Sequence, residues 1–195
     1  MATSEATKRR VRALKRLVLA STTFKSVELM CDHVESLGEP TSTLLHVPLL
    51  AGVCVTYMKP FMSSGGLGPL PASFEKFEGE KTHARVHADM ERLRNWFYAH
   101  RDVVNIPTLL GRSASEGRFD KVTFHLESNR TYSFSVHELS WELVGLSRVR
   151  ALCRFQRRRA DTSADQILHQ LFADIALVPG SYLIEDDFAR LMSSG

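Results

Sequence analysis

The chain has 195 residues, 44% of them hydrophobic and 24% charged, with a formal net charge of +3 at pH 7. That is ordinary for a soluble globular domain with a core of its own. No apolar run approaches the ~20 residues of a membrane span, and Cys31, Cys54 and Cys153 are spaced for neither a disulfide framework nor a zinc site. Buried free thiols are expected instead.

The basic run at residues 8–16 has the look of a signal-peptide start, but Lys15, Arg16 and Lys25 break up any apolar core behind it, so a cytoplasmic protein is expected. A first helix is predicted over 6–37. Leu14, Leu17, Ser21, Phe24, Val27, Cys31 and Val34 keep one seam at three- and four-residue spacing, and Gly38, Glu39 and Pro40 stop it. Thr41 or Ser42 can cap a second helix carrying Leu44, Leu45, Leu49, Val53 and Tyr57 up to Pro60, with Pro48 kinking it or delaying its start. This helix is apolar nearly all round, which suits the centre of a bundle. Residues 62–71 are rich in Gly, Ser and Pro and read as a mobile loop. No Gly-Lys-Ser/Thr comes after it, so a nucleotide P-loop is not indicated.

The central stretch is 80–105, free of Pro and Gly, with Val86, Met90, Leu93 and Phe97 on one face. On a regular helix Arg94 and His100 lie ~60° to either side of Phe97 and ~9 Å apart along the axis. They border the apolar stripe but cannot touch within one straight helix. If they cooperate, a bend or a second copy of the helix must bring them together. His83 and His87 form an i, i+4 pair that could face a metal with Glu80, but no further ligand is evident and no metal is expected.

Arg94-Asn95-Trp96-Phe97-Tyr98-Ala99-His100-Arg101-Asp102 resembles the signature of HEPN-superfamily domains: an arginine with a polar neighbour, a spacer, then Ala-His and a charged pair. Thr56-Tyr57-Met58-Lys59-Pro60-Phe61 and His87, one heptad before Arg94, resemble the abortive-infection branch of that superfamily. The likeness covers roughly residues 10–105. It implies an all-helical dimer, in many members a metal-independent endoribonuclease without a cofactor. It also implies catalytic roles for Arg94, Asn95 and His100, with His87, Tyr98, Arg101 and Asp102 at the border of the site.

Beyond 105 the pattern changes. Residues 106–118 read as a loop, and 121–126 with 130–135 as a β-hairpin around Ser128-Asn129. Ser135 and Glu138 form a capping box that opens a helix through Leu139, Leu143, Leu146, Val149 and Cys153. A second box, Ser163 with Gln166, predicts a separate restart near Asp161, running to Pro179-Gly180. The expected fold is therefore mainly α. It is a HEPN-like up-and-down bundle of four to five helices in one domain, 1–195, with a core of 10–105 and 136–178 and a hairpin insertion at 119–135, before the fourth long helix.

Arginine binds phosphate through a planar fork, and histidine exchanges protons near neutral pH, so Arg94 and His100 suffice chemically for RNA cleavage. Arg150, Arg154, Arg157 and Arg158 lie in a run without acids and offer a nucleic-acid path, or else a solvated helix face. Two readings stand. One is a homodimeric ribonuclease acting on RNA, a toxin or phage-defence effector with an antitoxin or other protein partner. The other is a catalytically silent helical dimer that binds nucleic acid, nucleotide or a partner protein. Neither involves a membrane.

Overall fold

A computed structural model describes residues 5–37, 43–63, 67–98, 122–126, 132–136, 145–173, 180 and 184. Four α-helices dominate them: α1 (Glu5–Ser36), α2 (Thr43–Met58), α3 (Lys81–Arg92) and α4 (Leu146–Phe172). Two short strands, β1 (Val122–Leu126) and β2 (Tyr132–Val136), pair antiparallel with Phe124 opposite Phe134. Among the described residues no helix is long and apolar enough to cross a membrane.

α1 and α4 make the long axis of the fold. The buried seam of α1 runs through Leu14, Leu17, Ala20, Phe24, Val27, Cys31 and Val34. That of α4 runs through Leu146, Val149, Cys153, Gln156, Ala160, Ala164 and Leu171, so both keep the three- and four-residue spacing of helices packed along their length. Their direction is fixed by polar contacts beside the seam. Ser21 donates to Asp161 at 2.6 Å, Glu28 pairs with Arg154 and Arg157 at 3.1 Å each, and Arg150 reaches Asp32 at 2.6 Å and Glu35 at 2.8 Å. Rising numbers on α1 meet falling numbers on α4, so the pair is antiparallel.

Two expectations are corrected here. α4 does not restart near Asp161 but continues as one helix of 27 residues. Its buried seam runs unbroken through Ala160 and Ala164, and Asp161 is spent on Ser21 across the interface. Burial along the seam outweighs the local capping option at Ser163. Ser135 and Val136 lie in β2 and not at a helix start; α4 begins at Leu146 after a left-handed Gly145 (φ 57°), a conformation that costs glycine little.

α2 packs on α1 and carries Pro48 inside it. At that position proline removes a single hydrogen bond close to the helix start. Leu50, Val53, Cys54, Tyr57 and Met58 are buried, whereas Val55 is exposed, so α2 is not covered on every side. Phe24, Tyr57 and Phe61 form a ring cluster with centroids 5.6–6.0 Å apart. All three cysteines are free and buried, and burial pushes the Cys31 thiol up to about 12.

The composition of 62–71 predicts a mobile loop, but its described end is anchored. The Leu70 amide donates to the Pro60 carbonyl at 2.7 Å, Arg16 donates to the Pro69 carbonyl at 2.9 Å, and the Leu70 side chain is buried. A 3-10 turn (Ala72–Glu75) comes next, with Phe74 buried. α3 then leads into a π-helical turn (Leu93–Tyr98), so the stretch from 80 is not one regular helix. A π turn holds more residues than an α turn, which shifts the phase of everything after Leu93.

Glu28 is buried and faces two guanidiniums; the Arg157 contact is an ion pair without hydrogen-bond alignment. Removing the carboxylate leaves both cations facing each other, while the Arg154 side chain is 59% exposed and easily hydrated. Glu28→Ala should lower unfolding free energy by about 2 kcal/mol. Arg154→Ala should cost under about 1 kcal/mol. Urea melts giving equal losses for the two would contradict this asymmetry.

Candidate functional site

A cleft of about 160 Å³ opens where the end of α2, the 3-10 turn at Ala72–Glu75 and the α3–π junction meet. Its apolar side is Met58, Phe61 and Met62; its polar side is Glu75, His87, Glu91, Arg94 and Asn95. The cleft results from the chain path. Pro60 ends α2 in a 3-10 turn, and α3 returns beside it with His87 and Arg94 bordering the same space.

Arg94 and Asn95 sit in the π turn, where the Arg94 Nη1 donates to Asn95 Oδ1 at 2.6 Å. Neighbours in sequence do not face each other on an α-helix, and the altered pitch is the local context in which these two meet. Asn95 thereby holds one edge of the guanidinium. Among the described residues no carboxylate forms an ion pair with Arg94, although Glu75 and Glu91 line the same cleft.

His87 is 8% exposed and enclosed by Tyr57, Phe61 and Phe77, with the Phe61 centroid at 4.8 Å in edge-on contact. Its Nδ1 is 2.8 Å from the Tyr57 hydroxyl. Burial pushes the imidazole below its ordinary value, with Glu91 opposing weakly, so the ring is neutral near pH 7. Tyr57 is pushed well above the ordinary phenol value by burial and keeps its proton. His83 turns elsewhere, with Nδ1 3.2 Å from Glu80 and its ring stacked on Phe155 at 4.8 Å. The two histidines thus do not share a metal-facing direction, and among the described residues no group of three candidate ligands assembles.

Of the sequence-derived site, Arg94, Asn95 and His87 come together on this cleft. The backbone of Tyr98 closes the π turn, while His100, Arg101 and Asp102 lie outside the described residues. Arg150, Arg154 and Arg157 are occupied by Asp32, Glu35 and Glu28, which explains their charge without a polyanion; Arg158 remains exposed. Missed at sequence level were Glu75, Glu91 and Met62 on the cleft, and Gln156 and Arg159 behind it. The signal for the arginine pairing was present: acids at 28, 32 and 35 repeat at the same spacing as arginines at 150, 154 and 157.

No protein-family model, curated protein or solved structure matches this chain.

His87 supplies a pH test. Its folded value lies below 6.5, so under pH 6.5 the unfolded chain binds more protons than the native one, and stability falls as pH drops. Thermal midpoints measured between about pH 7.5 and 5.5 should decline more for the parent than for His87→Gln. Asp89, shifted the opposite way by burial, is common to both proteins and cancels in the comparison. Identical slopes would place His87 in water rather than in its aromatic cage.

Proposed function

We propose that the chain is a metal-independent endoribonuclease of HEPN type, acting as a homodimer, with this cleft as part of its RNA site. The observation that carries the reading is the Arg94 guanidinium, held on one edge by Asn95, bordering a cleft with apolar and polar sides. Such a side chain can bind a phosphodiester through its remaining donors and stabilise the charge that grows on the non-bridging oxygens in the transition state. His100 belongs to the same signature and exchanges the protons. The RNA 2′-hydroxyl loses its proton and attacks phosphorus, the 5′-oxygen leaves and takes a proton, and a 2′,3′-cyclic phosphate remains. The resemblance implies a two-fold pairing of copies, which would bring the Arg94 of one copy near the His100 of the other. In this reading the helices form a HEPN-like bundle with the β1–β2 hairpin as an insertion. The protein is a cytoplasmic toxin or phage-defence effector, restrained by an antitoxin or other protein partner.

Glu75 and Glu91 favour a second reading. Two carboxylates on the cleft repel a polyanion and suit a cationic group, so a silent dimer that binds a protein partner fits them better.

Purified protein should cleave mixed RNA in the presence of a chelator. Arg94→Ala and His100→Ala should each lower the rate by at least ~100-fold, the lower end for losing a charge-stabilising donor or acid–base help. Mixing the two inactive variants should restore part of the activity if the site spans two copies. Cleavage by both variants at the parental rate would sink the assignment, and RNA bound but uncut by the parent would favour the silent dimer.

A further inference from the structure

Behind the cleft lie buried polar side chains whose hydrogen-bond directions can be worked out from their partners. Arg159 Nη1 reaches Gln156 Oε1 at 3.2 Å, and a guanidinium can only donate. The Gln156 oxygen is therefore the acceptor, and its amide nitrogen donates to the Phe74 carbonyl at 2.8 Å, a group that can only accept. Two independent partners thus fix which way the amide points. The Tyr57 hydroxyl is fully buried as well, and its hydrogen-bond partner among the described residues is His87 Nδ1, 2.8 Å away. A buried phenol that keeps its proton needs an acceptor for it, and were Nδ1 to donate instead, that proton would be left unmatched. Nδ1 must then be bare, and in a neutral imidazole the proton sits on Nε2.

Tyr57 is fully buried, and Phe61 and Phe77 grip the ring from two sides, so the imidazole is not free to turn. Nδ1 is directed at the buried Tyr57 while the ring borders the cleft that Arg94 also lines. The charged groups around that space are Glu91 and Arg94 from the α3 segment and Glu75 from the 3-10 turn; Tyr57 faces the ring from α2.

We propose that His87 is a ligand-binding residue of this site: its Nε2–H, set by the Tyr57 hydroxyl on Nδ1, donates beside the Arg94 guanidinium to a non-bridging phosphate oxygen of RNA. The phosphate contact rests on the ribonuclease reading; the assignment of the proton does not. A neutral donor adds a directed hydrogen bond to the charge supplied by arginine and needs no proton transfer during the reaction. With Nδ1 tied to Tyr57 and Nε2 already protonated, His87 has no lone pair to offer and is not the general base. Tyr57 is a positioning residue, acting through the ring as a carboxylate or carbonyl does behind a metal-bound histidine.

The test combines ring-nitrogen NMR of the full chain with binding and cleavage measurements. In the parent near neutral pH, Nε2 should carry the proton and Nδ1 should not, and the Nε2–H signal should move when a 2′-O-methyl RNA is added. His87→Ala should weaken binding of that RNA by ~10-fold or more, the loss of one hydrogen bond to a charged group. His87→Gln, which keeps an N–H donor near the same place but cannot titrate, should stay within about three-fold of the parent in binding and cleavage. Tyr57→Phe keeps the core volume and should leave the ring as a mixture of proton positions. A proton found on Nδ1 in the parent overturns the donor assignment, whatever the protein does to RNA. If the parent cleaves RNA and His87→Ala binds and cleaves equally well, the phosphate contact is wrong and the ribonuclease reading survives. If His87→Gln is as inactive as His87→Ala, the residue exchanges protons and the donor role is overturned. An RNA that the parent neither binds nor cuts overturns the functional reading and the phosphate contact together.

Discussion

A guanidinium cannot accept a hydrogen bond and a carbonyl cannot donate one, and the interior of this protein is arranged around that asymmetry. Arg159 donates to the Ser73 and Phe74 carbonyls at 2.6 and 3.2 Å, lies over the Phe74 and Phe155 rings, and presents another edge to Gln156. One side chain of α4 thereby fastens the 3-10 turn that carries Glu75 and orients the Gln156 amide. Leaving the buried Gln156 unmatched would cost about 1–3 kcal/mol. Polar contacts thus tie α4 to the 3-10 turn and, through Tyr57 and His87, α2 to α3, over and above the burial of the apolar seams. The cleft is a by-product of that locking.

The same economy governs the arginine-rich part of α4. Its guanidiniums look like a nucleic-acid surface when read along the chain, yet Arg150, Arg154 and Arg157 face the acids of α1, and Arg159 faces carbonyls. Among the residues lining the cleft, Arg94 is the one that carries a positive charge for a polyanion. Glu75 and Glu91 beside it work against indiscriminate binding of phosphate. Affinity at this cleft depends on where a few donors point more than on net charge, which gives the fixed proton of His87 its importance.

Much of the helical framework was legible. α1 could be read from its seam and from the Gly-Glu-Pro stop, and the end of α2 from Pro60, because both signals are local and strong. The continuity of α4 was not, since a capping pattern at Ser163 competes locally with a seam whose worth appears only once α1 is packed against it. The π turn was invisible as well: hydrophobic spacing up to Leu93 is that of a regular helix, and nothing in the residues 93–98 announces a change of pitch. Arg94, Asn95 and His87 could be singled out through a motif. Gln156 could not, because a glutamine between arginines reads as surface until its partner, the Phe74 carbonyl, is seen from another part of the chain.

The ribonuclease reading puts RNA in the cleft between the end of α2 and the α3–π junction. Photocrosslinking a 4-thiouridine RNA to the parent protein, with peptide mass spectrometry of the adducts, tests it without relying on activity. Adducts are predicted within residues 58–62 or 87–95. Adducts confined to the exposed face of α4 around Arg158, with none in those two segments, would contradict it.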